Sequence, residues 1–435
     1  MNKPAKGAEK GINPVLPPST SDREAWRTYW NDLGQSWRTE PEIPEHRQME
    51  LQECLNIRPD IKKGSYPFKN IRQSLNRADV EWLLAHHDDQ SGLADWEFAN
   101  HKNLKRGLDL RGADLRFVDL NSLPLPGLLG GLPRETWFAA TEDQREAAAI
   151  HLEGANLSRT RLDMAVLRSA HLEGTNLSHA HLDKATLRGA HLEGKSLSLE
   201  DLSTKVVEAA DLRYAFFDRA TTLDGIILGN KEYGFARLGN VHWGEANLTD
   251  IDWSEVILGD EEDAHKKMRA RGLYDKSTML NAMRAAVQAN RQLANVLRVQ
   301  GVNDAANRFA FRAEVWQRKV LGRQGLPKLG AYLFSWSRFL LAGYGYRPLF
   351  SFLAYLVVIL AFAAGYVMLA YGEGLHLSAI EALVLSVTSF HGRGFFPGDI
   401  PLDDPRTILA AFEALVGLLI EVSLISTFTQ RFFEK

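Results

Sequence analysis

Cysteine is nearly missing from this chain: Cys54 is the one example in 435 residues. An internal disulfide is therefore excluded, and the usage fits a reducing compartment. A marked excess of either charge is also missing. The formal net charge of −3 gives no reason to expect nucleic acid as a partner. Residues 1–23 hold no apolar run, so no cleavable secretory signal is expected. No phosphate-binding loop, zinc cluster or nucleophile elbow is present. Neither an enzyme nor a cofactor or bound metal is expected. Long apolar runs are absent before about residue 329, and the greasy stretches all follow it.

What is present is a count of five. Leucine recurs at Leu152, Leu157, Leu162, Leu167, Leu172, Leu177, Leu182, Leu187, Leu192, Leu197 and Leu202. Small residues sit two positions before the middle ones: Ala155, Thr160, Ala165, Ala170, Thr175, Ala180, Ala185 and Ala190. A helix would repeat at three and four, and a flat strand at two. A strict five fits neither. It describes a coil whose sides are all one length, each turning one leucine and one small residue inward. His-Leu-Glu-Gly or its like begins at His151, His171 and His191, so four fives make one coil of twenty. Stacked coils bury a continuous core and need a cap at each end.

Ala-Asn-Leu-Ser-Arg (155–159) and Gly-Ala-Asp-Leu-Arg (112–116) resemble the signature of pentapeptide-repeat proteins. The resemblance implies a right-handed quadrilateral β-helix, here over 105–258. On that fold His151, His171 and His191 would form one ladder and Glu153, Glu173 and Glu193 another. Both are expected to be solvated columns. Arg168 and Arg188 are expected to point outward.

The remainder divides around the coil. Residues 1–104 read as an extended and helical cap region. Pro41 and Pro44 oppose a continuous helix in 1–47, and 79–84 read as a short capping helix. Leu110, Leu115 and Leu120 start the fives, and 121–149 read as a loop-and-helix insertion. After Leu202 the fives pass through Val207, Leu212 and Phe217. They then slip by one to Leu223, Leu228, Tyr233, Leu238, Trp243, Leu248, Trp253 and Leu258. Residues 259–322 read as a cytoplasmic helical hairpin linker broken near Gly301, with Asp304 at the start of its second arm. An interfacial helix is expected over 323–347.

The last stretch, 348–435, has the look of a membrane domain. Residues 349–370 carry no charge; at 1.5 Å per residue they span roughly 33 Å, enough for a bilayer core. Residues 408–428 form a second span, interrupted by Glu413 and Glu421. Between them 377–388 is apolar but too short to cross, which predicts a re-entrant helix. Basic residues (Arg318, Lys319, Arg323, Lys328, Arg338, Arg347) precede the first span, while the connecting loop is acidic. The positive-inside rule then places both termini in the cytoplasm of a multi-pass plasma-membrane protein.

Span, short helix, glycine-bearing loop, span resembles the two-helix pore domain of the potassium-channel superfamily. The resemblance makes Thr388, Ser389, Phe390, His391, Gly392, Arg393 and Gly394 the filter segment, Gly417 an inner-helix hinge and Glu421 a cavity carboxylate. It implies a homotetramer in the lipid bilayer around a permeant ion. The filter departs from Thr-Val-Gly-Tyr-Gly: the threonine is lost, and Arg393 stands where tyrosine would. Potassium selectivity therefore does not carry over. Two classes stay open. One is an oligomeric ion channel with a large cytoplasmic repeat domain, and the other is a membrane-anchored binding scaffold whose coil holds an unknown protein partner.

Overall fold

The computed structural model describes residues 16–19, 22–87, 107–198, 204–270, 272–346, 348–372, 376–392 and 404–433. The chain forms two compact units. The first runs to Leu273 and includes Asn295–Val302; the second holds Tyr274–Ala294 and everything from Asn303 onward.

In the first unit the fives wind as a four-sided coil. Parallel bridges run in four columns: Asp114, His151, His171, His191 and Ile227; Asp119, Asn156, Asn176, Asp211 and Arg237; Pro124, Arg161, His181, Phe216 and His242; and Asp109, Leu129, Val166, Thr186 and Thr222. Successive members in the regular part lie twenty residues apart. Each side contributes a single bridged residue per coil, so regular strands among the described residues are confined to two short hairpins. Each leucine N–H reaches the coil that follows, as when Leu157 donates to the Asn176 carbonyl at 2.8 Å. Leu152 through Leu192 are all at most 1 % exposed. The threonines among the small residues bond inside the stack: Thr175 Oγ1 donates to the Leu152 carbonyl at 2.8 Å and Thr160 Oγ1 to that of Leu120 at 3.1 Å.

The corners of the regular part are left-handed. Residues Gly154, Arg159, Met164, Ser169, Gly174, His179, Lys184 and Gly189 all have φ between 57° and 69°. That conformation favours glycine, and the stack holds five other residue types in it.

Three excursions leave the coil. The bridge from Asp114 to His151 spans 37 positions instead of twenty, so 17 residues are looped out. They begin at about 131, not 121, because Leu123, Leu125 and Leu128 complete the first coil as buried residues. The loop carries two short helices, α4 (Arg134–Ala139) and α5 (Glu142–Ala148), separated by the capping box of Thr141 and Gln144. The second excursion is an antiparallel hairpin, β1 (Lys195–Ser198) with β2 (Thr204–Val207). Leu197 is buried there opposite Lys205, and Val207 lies on β2, so neither is a side of the coil. Leu202 lies outside the described residues. Fifteen residues are looped out here, a multiple of five, which is why the leucine count survives the interruption. A small hairpin, β3 (Gly229–Asn230) with β4 (Gly234–Phe235), makes the third and carries Tyr233 in its turn.

The coil is capped at both ends. Before it come α1 (Arg23–Asp32), α2 (Glu45–Leu55) and α3 (Arg77–His86). Residues 23–32 are helical where an extended chain was expected; Asp22 caps them and Trp26 and Trp30 are buried. Pro41 and Pro44 fall between α1 and α2. Arg77 of α3 donates to the Asp119 and Asn121 carbonyls, each at 3.1 Å, closing the edge of the first coil. At the other end Asp260, in α6 (Gly259–Arg269), accepts from the Leu238 and Gly239 amides at 2.9 and 3.1 Å. Gln300 accepts from the Leu248 amide and donates to the Ala246 carbonyl, both at 2.8 Å.

The second unit is helical. The hairpin arms are α7 (Lys276–Val299) and α8 (Asn303–Arg323), the latter with Asp304 in its first turn. They are followed by α9 (Leu329–Ala342), α10 (Pro348–Gly372), α11 (Ala379–Phe390) and α12 (Pro405–Phe433). Arg318 of α8 lies over the rings of Trp336 and Phe339 on α9, 4.2 and 4.3 Å from their centres.

Candidate functional site

Two places gather polar side chains against apolar surroundings. The first is where α11 meets its neighbours. Segments 349–372 and 405–425 are long and apolar enough to cross a membrane, and most of each faces outward from the protein. The shorter α11 packs on both α10 and α12 and starts with a capping box between Ser378 and Glu381. Glu413 of α12, wholly buried, accepts from the Tyr366 hydroxyl at 2.7 Å and from Ser386 Oγ, so one carboxylate ties three helices.

The end of α11 is held at the middle of α12. A Cβ on Gly417 would lie 2.1 Å from the Phe390 carbonyl oxygen, so only glycine permits this approach. Helix α12 runs unbroken through Gly417. Just beyond Phe390, His391 Nδ1 faces the Glu421 carboxylate, and His391 Nε2 lies 3.3 Å from the Tyr355 hydroxyl. Thr388 spends its hydroxyl on its own helix, donating to the Val384 and Leu385 carbonyls. Ser389 and Phe390 are buried, and Gly392 turns the chain with φ of 69°. Arg393 and Gly394 lie outside the described residues. Thr388 to Gly392, Gly417 and Glu421 thus come together at one level.

The second place is the first column of the coil. The rings of His151 and His171 stack with centres 4.6 Å apart, and those of His171 and His191 at 5.3 Å. Each imidazole faces the carboxylate two residues on: His151 with Glu153 at 3.2 Å, His171 with Glu173 at 3.3 Å, His191 with Glu193 at 3.1 Å. The column was expected to be solvated, and its middle is not. His171, Glu153 and Glu173 are 5, 2 and 1 % exposed. The excursions cover it: Glu146 of α5 reaches His171 Nε2 at 2.9 Å, and Lys195 of β1 reaches Glu173 at 3.1 Å. Burial opposes charge on both His171 and Glu173, but their mutual hydrogen bond prevails, raising the imidazole's pKa and lowering the carboxyl's. Arg168, also expected outside, is buried under the same insertion and donates to the Leu132 carbonyl at 3.2 Å.

The sequence profile described as "Pentapeptide repeats" matches 150–194 in 8 copies, the stretch where the four columns are most regular. Residues 150–194 are thus a run of pentapeptide repeats. Pentapeptide repeats imply a right-handed β-helix, in keeping with the four bridged columns. Among solved structures, QnrB1, a plasmid-mediated fluoroquinolone resistance protein, is 13 % identical over 36 % of this chain and 82 % of its own, with a TM-score of 0.15. A pentapeptide-repeat protein of the Arabidopsis thaliana thylakoid lumen is 18 % identical over 31 % of this chain and 68 % of its own, TM-score 0.14. Rfr23 from the cyanobacterium Cyanothece 51142 is 21 % identical over 30 % and 90 %, TM-score 0.14. No curated protein matches the chain in sequence.

Glu146, Lys195 and Glu413 were not foreseen as site residues. The first two lie on excursions that the five-residue count does not place. Glu413 carried a signal, a carboxylate within an apolar span, that points to a bundle interior.

Proposed function

We propose that this pentapeptide-repeat protein is an oligomeric, multi-pass membrane channel whose repeat coil serves as a cytoplasmic binding domain. The observation that carries the reading is the seat of α11 between two apolar helices, with Phe390 against Gly417. A helix of 12 residues is too short to cross. If it enters the bilayer, the chain that follows must leave helical geometry at depth. Such backbone is tolerated in a membrane only where protein or a water-filled cavity surrounds it. Further copies of the chain would supply both. Exposed apolar residues along α10 and α12, such as Phe352, Leu360, Phe412 and Leu419, fit contact with lipid or with those copies.

His391 facing Glu421 favours a second reading, a membrane-anchored scaffold that does not conduct. A paired carboxylate offers a passing cation less than a free one. The native mass of detergent-solubilised protein separates assembly from its absence. A tetramer is expected, and a monomer at all concentrations would defeat the channel reading.

A further inference from the structure

We propose that Glu153, His171 and Glu173 form a binding site for a divalent transition-metal ion, on the first column of the coil and beneath the 131–149 insertion. One ligand atom from each lies within 4.8 Å of the other two. The coil supplies the convergence. The His151–His171 bridge sets successive coils in register, so Glu153 lies one step along the stack from Glu173.

Burial makes the cluster unusual. Glu153 and Glu173 are almost fully enclosed, and each leaves its Oε2 without a hydrogen-bond partner. A buried carboxylate oxygen in that condition is strongly unfavourable, and buried charges are normally paired or bound to a metal. Glu146, Glu153 and Glu173 bring three negative charges against the single ammonium of Lys195. Once a metal ion replaces the Nδ1 proton of His171 the imidazole is neutral and the balance of these four groups with it is −2, which a divalent ion cancels.

The imidazole is already oriented for the task. Glu146 lies 2.9 Å from Nε2 of His171 and fixes the proton there. Nδ1, which donates its proton to Glu173, would present a lone pair there once a metal ion displaces that proton. A ring nitrogen whose far N–H is held by a carboxylate is the usual outer arrangement of a metal-ligating histidine. His171 Nδ1 and the Glu173 oxygen stand 3.3 Å apart. That is long for a hydrogen bond. It is also roughly the edge of a tetrahedron whose metal–ligand bonds are ~2.0–2.1 Å. One imidazole and two carboxylates with no thiolate suit zinc, cobalt or manganese.

The test uses the full chain in detergent, stripped with a chelator and titrated with CoCl2, then with ZnCl2 in competition. The wild type should develop the visible absorption of low-symmetry Co2+, saturating at about one ion per chain and displaced by zinc. Glu146→Gln, which alters only the outer partner, should weaken binding ~10- to 100-fold. His171→Gln should abolish it, while His181→Gln on the third column should leave it unchanged. Lys195→Ala removes the competing ammonium and should tighten binding. No absorption in the wild type, or absorption undiminished in His171→Gln, overturns the proposal and leaves a proton between His171 and Glu173. If His171→Gln does not fold, Lys195→Ala decides: tighter binding supports the site, and unchanged or weaker binding overturns it.

Discussion

His151 and His171 stand one coil apart, and their rings lie 4.6 Å from centre to centre with planes only 4° from parallel. That spacing is the rise of paired strands, so the repeat of twenty in the sequence is the repeat of the stack. A change at one position is felt by its neighbours above and below.

The inward and outward classes should part in stability. Leu172 is fully buried, and Leu172→Asp places an unpaired charge in the core, which should cost more than about 3 kcal/mol. Arg161 has a side chain 66 % exposed, so Arg161→Ser should stay within about 0.5 kcal/mol. Arg168→Ser should fall between them, because it strips a buried donor from the Leu132 carbonyl. Thermal unfolding of the three variants checks the order, and equal losses in the first two would contradict the coil.

Asp260 should make the coil's far end pH-sensitive. Burial first of all raises its carboxyl from 3.8 to about 6, against the opposing pull of its bond from the Leu238 amide. The folded value lies above the unfolded one, so the stabilising contribution is complete below about pH 4 and is lost as pH rises through 6. The span corresponds to on the order of 2–3 kcal/mol. Asp260→Asn keeps an acceptor for both amides and should flatten stability across pH 4–7. A slope unchanged in that variant would assign it to other groups.

Gly417→Ala sets two effects against each other. Alanine favours a helix by about 1 kcal/mol over glycine. Its Cβ would meet the Phe390 carbonyl at 2.1 Å, and backbone there cannot yield cheaply. The clash should win, lowering the melting temperature in detergent. A rise would mean that α11 does not pack on α12 as described.

Topology can be read by labelling once Cys54 is replaced by serine. A cysteine at Ser378 should react with an impermeant reagent in intact cells, and one at Glu434 should not. The reverse pattern would invert the charge-based orientation.

Much of the coil was legible because one leucine per five residues is a period no other element shares. Leu152 to Leu192 could be placed inside from the sequence. Leu197 could not, since a hairpin of fifteen extra residues preserves the count while leaving the coil. The first coil was cut short at Leu120 for a related reason. Leu123, Leu125 and Leu128 belong to it, but 123–127 also reads as a Pro/Gly loop. The burial of His171 and Arg168 was hidden because the residues covering them come from a segment with no repeat. At the C-terminal end, the two long apolar helices and the short one between them followed from length and composition. The ties from Glu413 and from His391 to Glu421 depend on how three helices pack, which no local pattern encodes.

Conduction is tested most directly by recording from wild type and Arg393→Tyr reconstituted in planar bilayers, with assembly confirmed by mass. Arginine keeps its charge at any accessible pH, so a ring of Arg393 would oppose cations at the mouth. The variant should pass more cation current than the wild type, or shift the reversal potential toward the cation. Silence from both, in protein shown to be tetrameric, would contradict the channel and leave the membrane-anchored scaffold.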